Sequence, residues 1–264
     1  MNIYRIMYIT ITDRDDGFGA QLQHILFGMV YAEHKGYTYV HKPIVSMEHN
    51  YENDPLYIEK LEEFLNIRGN FKTISDIEKE KEKEKEKEKE KEGQEKLQVI
   101  PFWTLYPFVC ENFDICLEGS KAIRDYKAIF WEKKQNIFPK ELGVVHIAVH
   151  VRRFNSCDWD ISRIQSDSYY LNVIQEIREK YDGKKVFHIY SQGSQEEFCE
   201  YDGVDIILHL NEDIRDTFVG MVSADILVTS KSALSYCAAL LTDGIVYFIE
   251  FGCFNPPSRN WIYR

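Results

Sequence analysis

Residues 144–155 read VVHIAVHVRRFN, and this stretch decides the fold class predicted for the chain. It begins as an almost continuous apolar run, which is typical of a strand buried on both faces of a parallel sheet. The run ends in His150, Arg152 and Arg153. Ligands bind at the carboxyl ends of such strands, and a guanidinium group can bind two phosphate oxygens at once. The stretch therefore favours a phosphate or pyrophosphate site; an arginine pair that closes the strand by salt bridges to nearby aspartates is the other interpretation.

Strands and helices alternate through the second half of the chain. After residues 144–151, the pattern predicts strands over residues 185–190, 204–208, 225–229 and 245–251. Helices are predicted between them, over residues 168–181, 194–201, 213–223 and 232–241. This alternation predicts a doubly wound parallel sheet. Within it, Ser194 and Glu197 have the spacing of a capping box.

The first half begins with a similar strand, loop and helix. We predict strands over residues 3–11 and 37–41, and an amphipathic helix over residues 20–35 between them. The loop before the helix ends in Gly17-Phe18-Gly19, which would let the backbone approach an anionic ligand at the helix N-terminus. A plain tight turn would have the same sequence. The chain is thus predicted to form two Rossmann-like α/β domains, over residues 1–142 and 143–264, with a ligand between them.

Residues 78–92 are a strict alternation of glutamate and lysine. The alternation places opposite charges three residues apart and like charges four residues apart, so the two effects on a helix partly cancel. The segment contains no apolar residue and cannot join a core. We predict a solvated insertion in a loop, with a short polar helix as the alternative.

Composition excludes some classes of protein. Apolar residues make up 44% of the 264 residues, which is enough for a core, and the net charge of −11 argues against a nucleic-acid-binding protein. The six cysteines form no CxxC pair and no zinc-site spacing, as expected for reduced thiols inside a cell. No apolar run is long enough for a signal peptide or a membrane span. We therefore expect a cytoplasmic protein with no membrane partner.

Polar residues follow three of the predicted strands. They are Arg152 and Arg153 after the first strand, Ser191, Gln192 and Gly193 after the second, and Ser230, Lys231 and Ser232 after the fourth. Helix capping by itself explains most serines at such positions. It does not explain anion-binding groups at three neighbouring strand ends, which together favour a nucleoside diphosphate.

Three motifs resemble the α1,2-, α1,6- and protein O-fucosyltransferases. HVRR at residues 150–153 resembles their HxRR motif, and DGFGAQLQH at residues 16–24 resembles their N-terminal glycine loop. DTFVGMVSADILVTSKSALSYCAALL at residues 216–241 resembles their last motif. By these motifs, the chain resembles short fucosyltransferase-like proteins of algae and large algal viruses more than it resembles the animal enzymes.

The resemblance implies a GT-B glycosyltransferase with no metal and no other cofactor. It would transfer fucose, or another small sugar such as xylose, from a GDP- or UDP-linked donor to a hydroxyl group of a glycan. Arg152 would hold the donor pyrophosphate, His150 would support the nucleotide, and Ser230 or Ser232 would bind its phosphates or ribose. An N-terminal group of residues would face the acceptor: Gly17, Phe18, Gly19, Gln21 and His41.

The mechanism expected for such an enzyme has an oxocarbenium-like transition state, in which Arg152 stabilises the leaving diphosphate. A carboxylate could take the proton of the acceptor hydroxyl, and Asp158 and Asp160 are the candidates. The same two residues form a DxD sequence, which is the metal-binding signature of GT-A glycosyltransferases. A non-catalytic nucleotide-sugar or glycan-binding module is another alternative, because Ala20 and Phe154 depart from the motifs of the family.

Overall fold

The computed structural model describes residues 7–48, 50, 53–87, 96–112, 117, 119–138, 142–153, 160–252, 258 and 260–264. The chain divides into two compact units, Met1–Lys134 and Gln135–Arg264. The domain boundary predicted from the sequence, between residues 142 and 143, lies a few residues after this division.

The N-terminal unit contains a parallel sheet of three strands in the order β2-β1-β3. The strands are β1 (Met7–Ile11), β2 (Thr38–Tyr39) and β3 (Lys96–Ile100). Among the described residues of this unit, the helices are α1 (Phe18–Lys35), α2 (Tyr57–Leu65), α3 (Ile74–Lys87), α4 (Phe102–Glu111) and α5 (Lys121–Trp131). The first predicted strand is present from Met7, and residues 3–6 of that prediction lie outside the described residues.

Helix α1 packs closely against β1. A Cβ atom added at Gly28 would lie 2.7 Å from Cγ2 of Ile11, so only glycine permits this approach. The helix ends at Gly36, which is left-handed with φ of 66° and donates its N–H to the Glu33 carbonyl. It begins two residues earlier than the predicted range, at Phe18, with Gly17 as its N-cap at φ of −66°.

The loop prediction for the glutamate–lysine repeat is wrong for residues 78–87, which belong to helix α3. The helix is started by the preceding turn: the Thr73 N–H donates to Asp76 Oδ2, and the Asp76 N–H donates to the Thr73 hydroxyl. Ile77, which is 2% exposed, packs with Tyr8 and anchors the first turn. A capped and anchored first turn overcomes the cost of helix nucleation, so the weak side-chain support of the repeat is sufficient. Residues 88–92 lie outside the described residues.

The C-terminal unit contains a parallel sheet of six strands in the order β6-β5-β4-β7-β8-β9. The strands are β4 (Val144–His150), β5 (Lys184–Ser191), β6 (Ile206–Leu210), β7 (Ile226–Val228), β8 (Ile245–Phe248) and β9 (Ile262–Tyr263). The helices are α6 (Asp167–Lys180), α7 (Ile214–Ser223) and α8 (Ala233–Leu241). The predicted α/β class and the doubly wound parallel sheet are confirmed.

Helices cover both faces of this sheet. On one face, Ile147 and Phe187 pack against Tyr170 and Ile174 of α6. On the other face α7 approaches β5 closely, because a Cβ atom added at Gly220 would lie 2.0 Å from Oη of Tyr190. The central strands are therefore buried on both sides, which is why they read as mostly apolar runs.

Two local features of this unit differ from the prediction. The predicted helix over residues 194–201 is a short 3-10 turn, Gln195–Phe198, and Ser194 makes no capping hydrogen bond with its side chain. Strand β9 was not predicted, and its two residues extend the sheet beyond β8. None of the helices in the described part of the chain has both the length and the apolar character that crossing a bilayer requires.

Candidate functional site at the switch point of the C-terminal sheet

The direction of chain connection reverses between β4 and β7. From β4 the chain proceeds to β5 and β6 on one side, and it then returns to build β7 and β8 on the other side. The segments that follow β4 and β7 therefore leave the carboxyl edge in opposite directions and open a crevice between them. In doubly wound sheets such a crevice is where ligands bind.

A buried hydrogen bond crosses this switch point. Oγ of Ser230, which follows β7, lies 2.8 Å from Nδ1 of His150, the last residue of β4. Ser230 is fully buried and its N–H donates to the hydroxyl of Ser235, 3.2 Å away. Burial and then the charge of Arg152 lower the pKa of His150 to about 3, so this imidazole is neutral at physiological pH. His150 and Ser230 thus join two strand ends from within the protein.

Two further bonds hold the segments after β4 and β7 together at the surface. Nζ of Lys231 donates to the Ser162 carbonyl over 3.2 Å, and Nε of Arg163 donates to the Lys231 carbonyl over 3.2 Å. Arg152 directly follows the end of β4, and its positive charge acts on His150 and on Asp160. Arg152, Arg163 and Lys231 are each only partly buried, so three cations lie at the rim of the switch point.

Arg153 has a partner within the protein. Its Nη2 lies 2.7 Å from Oδ1 of Asp167, and its guanidinium carbon lies 4.5 Å from the centre of the Phe198 ring. Arg153 therefore makes its salt bridge to Asp167, and Asp158, one of the aspartates near the motif, lies outside the described residues. Arg163 is the cation that the sequence did not reveal, because nothing in its spacing from Asp160 distinguishes it from a surface arginine.

Asp160 begins the 3-10 turn Ile161–Arg163. Its Oδ1 accepts the N–H of Ser162 over 3.0 Å and the hydroxyl of Ser162 over 2.5 Å. These bonds, with the nearby Arg163 and Arg152, lower the pKa of its carboxyl group. Asp158, the other candidate base, and Phe154 lie outside the described residues.

The turn after β5 is held by hydrogen bonds within the protein. The Ser191 hydroxyl donates to the Val151 carbonyl over 2.7 Å. The Gly193 N–H donates to Oδ1 of Asn211 over 3.0 Å, and Nδ2 of Asn211 donates back to the Gly193 carbonyl over 2.8 Å. Of the three predicted donor-binding residues in this turn, Gln192 is the exposed one. Asn211, left-handed at φ of 56°, was not predicted and fixes the turn from the end of β6.

Ser232 caps helix α8. Its Oγ accepts the Leu234 N–H over 3.2 Å, and the residue is 4% exposed. Capping was the alternative interpretation for this serine, and the structure shows that it caps. The N-terminus of α8 still points to the carboxyl edge of the sheet, where its dipole favours a negative ligand.

Four of the five predicted acceptor-side residues lie at the start of α1, directly after the loop that follows β1. Gln21 is buried, and its Nε2 lies 2.9 Å from the Arg14 carbonyl and 2.7 Å from the Ser46 carbonyl. Phe18 is buried at the start of α1 and stacks at an angle on Phe64. These two buried side chains hold the loop against the body of the N-terminal unit. The other two predicted residues of this group are Gly17, the N-cap of α1, and Gly19, in its first turn.

A cavity of about 20 Å³, the size of a single water molecule, lies beside this loop and is lined by Asp13, Arg14, His24 and Lys42 among others. Lys42 forms an ion pair with Asp13. Nε2 of His24 lies 3.2 Å from the Thr12 carbonyl. Burial and then the charge of Arg14 lower the pKa of His24 to about 4, so the charges at this cavity come from its other residues.

His41, the fifth predicted acceptor-side residue, is fully buried. Its Nε2 lies 3.0 Å from Oε2 of Glu62, which is also fully buried. Oε1 of the same carboxylate accepts the Ile44 N–H over 2.8 Å, and these bonds from His41 and Ile44 outweigh burial, so the pKa of Glu62 is lowered. His41 thus holds the chain after β2 against α2. Within the described residues, no three histidine, cysteine or acidic side chains converge as a metal-binding group.

No protein-family profile and no curated protein match the sequence. Among solved structures, the chain is similar to the fucosyltransferase NodZ from Bradyrhizobium (15% identity over 89% of this chain and 92% of that chain, TM-score 0.38). It is also similar to POFUT1 in complex with GDP (14%, 91% and 95%, TM-score 0.42) and to the E. coli heptosyltransferase WaaC with ADP (8%, 98% and 92%, TM-score 0.44). Fucosyltransferases are thus among the proteins that the chain is similar to, and closeness to algal and viral proteins stays a prediction.

Proposed function

We propose that the chain is a GT-B-type glycosyltransferase that uses a nucleoside diphosphate sugar as donor and a glycan hydroxyl group as acceptor. One observation supports this proposal above the others: Arg152, Arg163 and Lys231 lie together at the switch point of the C-terminal sheet. A diphosphate offers several oxygens to these donors, and the N-terminus of α8 adds a favourable dipole. A carboxylate ligand would need fewer positive charges.

The same groups would also act in the chemical step. As the bond between the sugar and the diphosphate breaks, negative charge grows on the leaving group, and cations already in place stabilise it without reorganisation. Arg163 takes the role that the sequence suggested for Arg153, whose guanidinium is held by Asp167. The buried hydrogen bond between His150 and Ser230 positions the segments that follow β4 and β7. The loop after β1, with its small polar cavity, is the proposed acceptor-side segment, and fucose remains the sugar that the motifs favour.

The binding proposal is tested by Arg152→Ala with Arg178→Ala as the matched control. Arg178 belongs to the same unit but pairs with Asp205 next to the start of β6, at the opposite edge of the sheet. A charge-assisted hydrogen bond contributes about 1.5–3 kcal/mol, so Arg152→Ala should weaken GDP or UDP binding by roughly 10- to 150-fold. Calorimetry and a thermal melt are run on both variants. A folded Arg152→Ala protein with unchanged affinity for both nucleotides contradicts the proposal.

A second experiment tests the proposed absence of a metal and the role of Asp160. If cations of the protein neutralise the diphosphate, transfer from the donor sugar continues in EDTA, and Asp160→Asn leaves donor affinity unchanged. If Asp160 and Asp158 instead bind a divalent ion, chelation stops transfer and Asp160→Asn weakens donor binding. Activity that returns only with manganese or magnesium would overturn the GT-B mechanism in favour of the metal-dependent one.

A further inference from the structure

Three histidines and a glutamate form a continuous hydrogen-bonded chain across the C-terminal sheet. Nδ1 of His146 lies 3.1 Å from Nε2 of His188, and Nδ1 of His188 lies 3.0 Å from Nε2 of His209. The chain ends at the surface, where Nδ1 of His209 lies 2.7 Å from Oε1 of Glu212. None of these residues belongs to the candidate site, and none was selected by the sequence analysis.

Strand register explains why the rings meet. His188 is paired in register with Ala148, two residues beyond His146, and His209 is paired with Tyr190, two residues beyond His188. Each step therefore moves across one strand and two residues towards the carboxyl edge, on one face of the sheet. The ring of Phe138 also packs against two of the histidines. Its centre lies 4.6 Å from the centre of the His146 ring and 4.3 Å from that of the His188 ring.

Proton counting fixes the tautomer of every ring. A carboxylate accepts only, so His209 must donate from Nδ1 to Glu212 and accept at Nε2. His188 then donates from Nδ1 to His209, and His146 donates from Nδ1 to His188. Three neutral imidazoles carry three N–H groups, which is the number that the three links require. The one nitrogen left bare is Nε2 of His146, which is buried and has no hydrogen-bond partner among the described residues.

This arrangement resists a single proton. An added proton that leaves every link intact can reside only at Nε2 of His146, which is buried and faces no acceptor among the described residues. Further protons must break links, because two protonated nitrogens would then face each other. Burial and then the neighbouring His209 and His146 lower the pKa of His188 to about 4, as expected for the middle ring of such a chain.

Other titratable groups surround the chain on this face. They are Tyr190 on β5, His150 on β4, Asp216 on α7, and Asp225, whose carboxylate accepts the backbone N–H of His146. Burial, followed by the charges of Glu212 and Asp216, raises the pKa of Tyr190, so the phenol stays neutral throughout the acidic range. His150 is held neutral by its own burial.

We propose that His146, His188, His209 and Glu212 form an acid-sensitive latch that holds β4, β5 and β6 together and opens when the histidines take up protons cooperatively. The link to Glu212 lies next to Asn211, whose side chain fixes the turn at Gly193. Opening the latch therefore loosens the carboxyl end of β6 and, through Asn211, the turn after β5. The latch depends only on the C-terminal unit and does not rest on the proposed transferase function.

The test is nitrogen-15 NMR of the full chain labelled at histidine. Near neutral pH, His146, His188 and His209 should all be Nδ1–H tautomers, with through-hydrogen-bond couplings between nitrogens for both ring-to-ring links. As the pH is lowered towards about 4, the two couplings should disappear together, in a transition steeper than a one-proton titration. An Nε2–H tautomer at His188, or three independent one-proton titrations, overturns the proposal.

Variants separate the latch from ordinary packing. His188→Phe keeps a ring between Phe138 and the strands but removes both links, so His146 and His209 should titrate independently. Glu212→Gln can donate as well as accept, so the single set of tautomers should be lost while the rings stay in place. His34→Gln, at an exposed position of α1 in the other unit, should leave the signals of His146, His188 and His209 unchanged. If the variants fail to fold, the wild-type spectrum alone decides.

Discussion

Replacing Gly220 by alanine should destabilise the C-terminal unit through one identified contact. The added Cβ atom would lie 2.0 Å from Oη and 2.4 Å from Cζ of Tyr190, and real Cβ contacts below 3.0 Å are essentially absent. The ring of Tyr190 would therefore have to move by about 1 Å. It is 1% exposed and stacks 4.6 Å from His209, so it cannot move without disturbing the histidine chain.

The magnitude follows from two opposing effects. Overpacking a core costs about 1–3 kcal/mol and occasionally more, and a contact this short belongs at the upper end. Alanine in place of glycine inside a helix contributes about 1 kcal/mol in the other direction. We expect the free energy of unfolding to fall by about 2 kcal/mol, measured by urea denaturation followed by circular dichroism.

Two comparisons make the experiment specific. Gly119→Ala should change the free energy of unfolding by less than about 0.5 kcal/mol, since no described atom beyond its chain neighbours lies within 4 Å of the added Cβ and its backbone is not left-handed. Adding Tyr190→Phe to Gly220→Ala removes the nearest atom, so the double variant should recover part of the loss. Wild-type stability of Gly220→Ala would show that α7 can move away from β5, and the reasoning from close packing would then be refuted.

Three other predictions concern stability. Glu62→Gln should lower the free energy of unfolding by about 3 kcal/mol in urea denaturation, because it removes the charge from the buried pair with His41; a change within error would show that the pair contributes no net stability. Ile77→Ala should cost about 2–4 kcal/mol by the same assay, while Glu82→Ala on the exposed part of α3 should be neutral, and equal effects would contradict the anchoring role of Ile77. Lowering the pH should destabilise the protein through three histidines whose pKa values are lowered on folding: His24, His150 and His188. Below the ordinary histidine pKa of about 6.5 the unfolded chain binds more protons than the folded protein. Each of these histidines should therefore lower the free energy of unfolding by about 2 kcal/mol between about pH 7 and about pH 5. Denaturation curves that coincide at the two pH values would exclude this contribution.

The class of fold could be predicted from the sequence because a strand that is buried on both faces has a recognisable local sequence. Residues 144–151 are apolar except for His146 and His150, whereas a strand with one face in water would alternate apolar and polar residues. Most helices after this strand begin and end within one or two residues of their predicted bounds, because caps and apolar faces are also local features. The repeat after residue 78 misled the prediction because its helix is started by residues that precede it.

The sequence predicted where the candidate site lies, but it did not predict which residues belong to the site. Arg152 and Ser230 follow strands, and the carboxyl ends of parallel strands share an edge, so their neighbourhood follows from the order of elements alone. Whether a given cation points to a ligand or to a partner depends on residues elsewhere. Arg153 meets Asp167 across a stretch of intervening chain, and His41 meets Glu62 from another element.

The sequence by itself determined that this chain forms parallel α/β units and that positively charged and hydroxyl groups follow the strands of the second one. Only the tertiary structure decided which of these groups have partners within the protein, as Arg153 and Ser232 do. It also brought together His146, His188 and His209, which are separated by 42 and 21 residues. The physical reason is register: a side chain's face is set by its own strand, but its neighbours are set by how far each strand is shifted against the next.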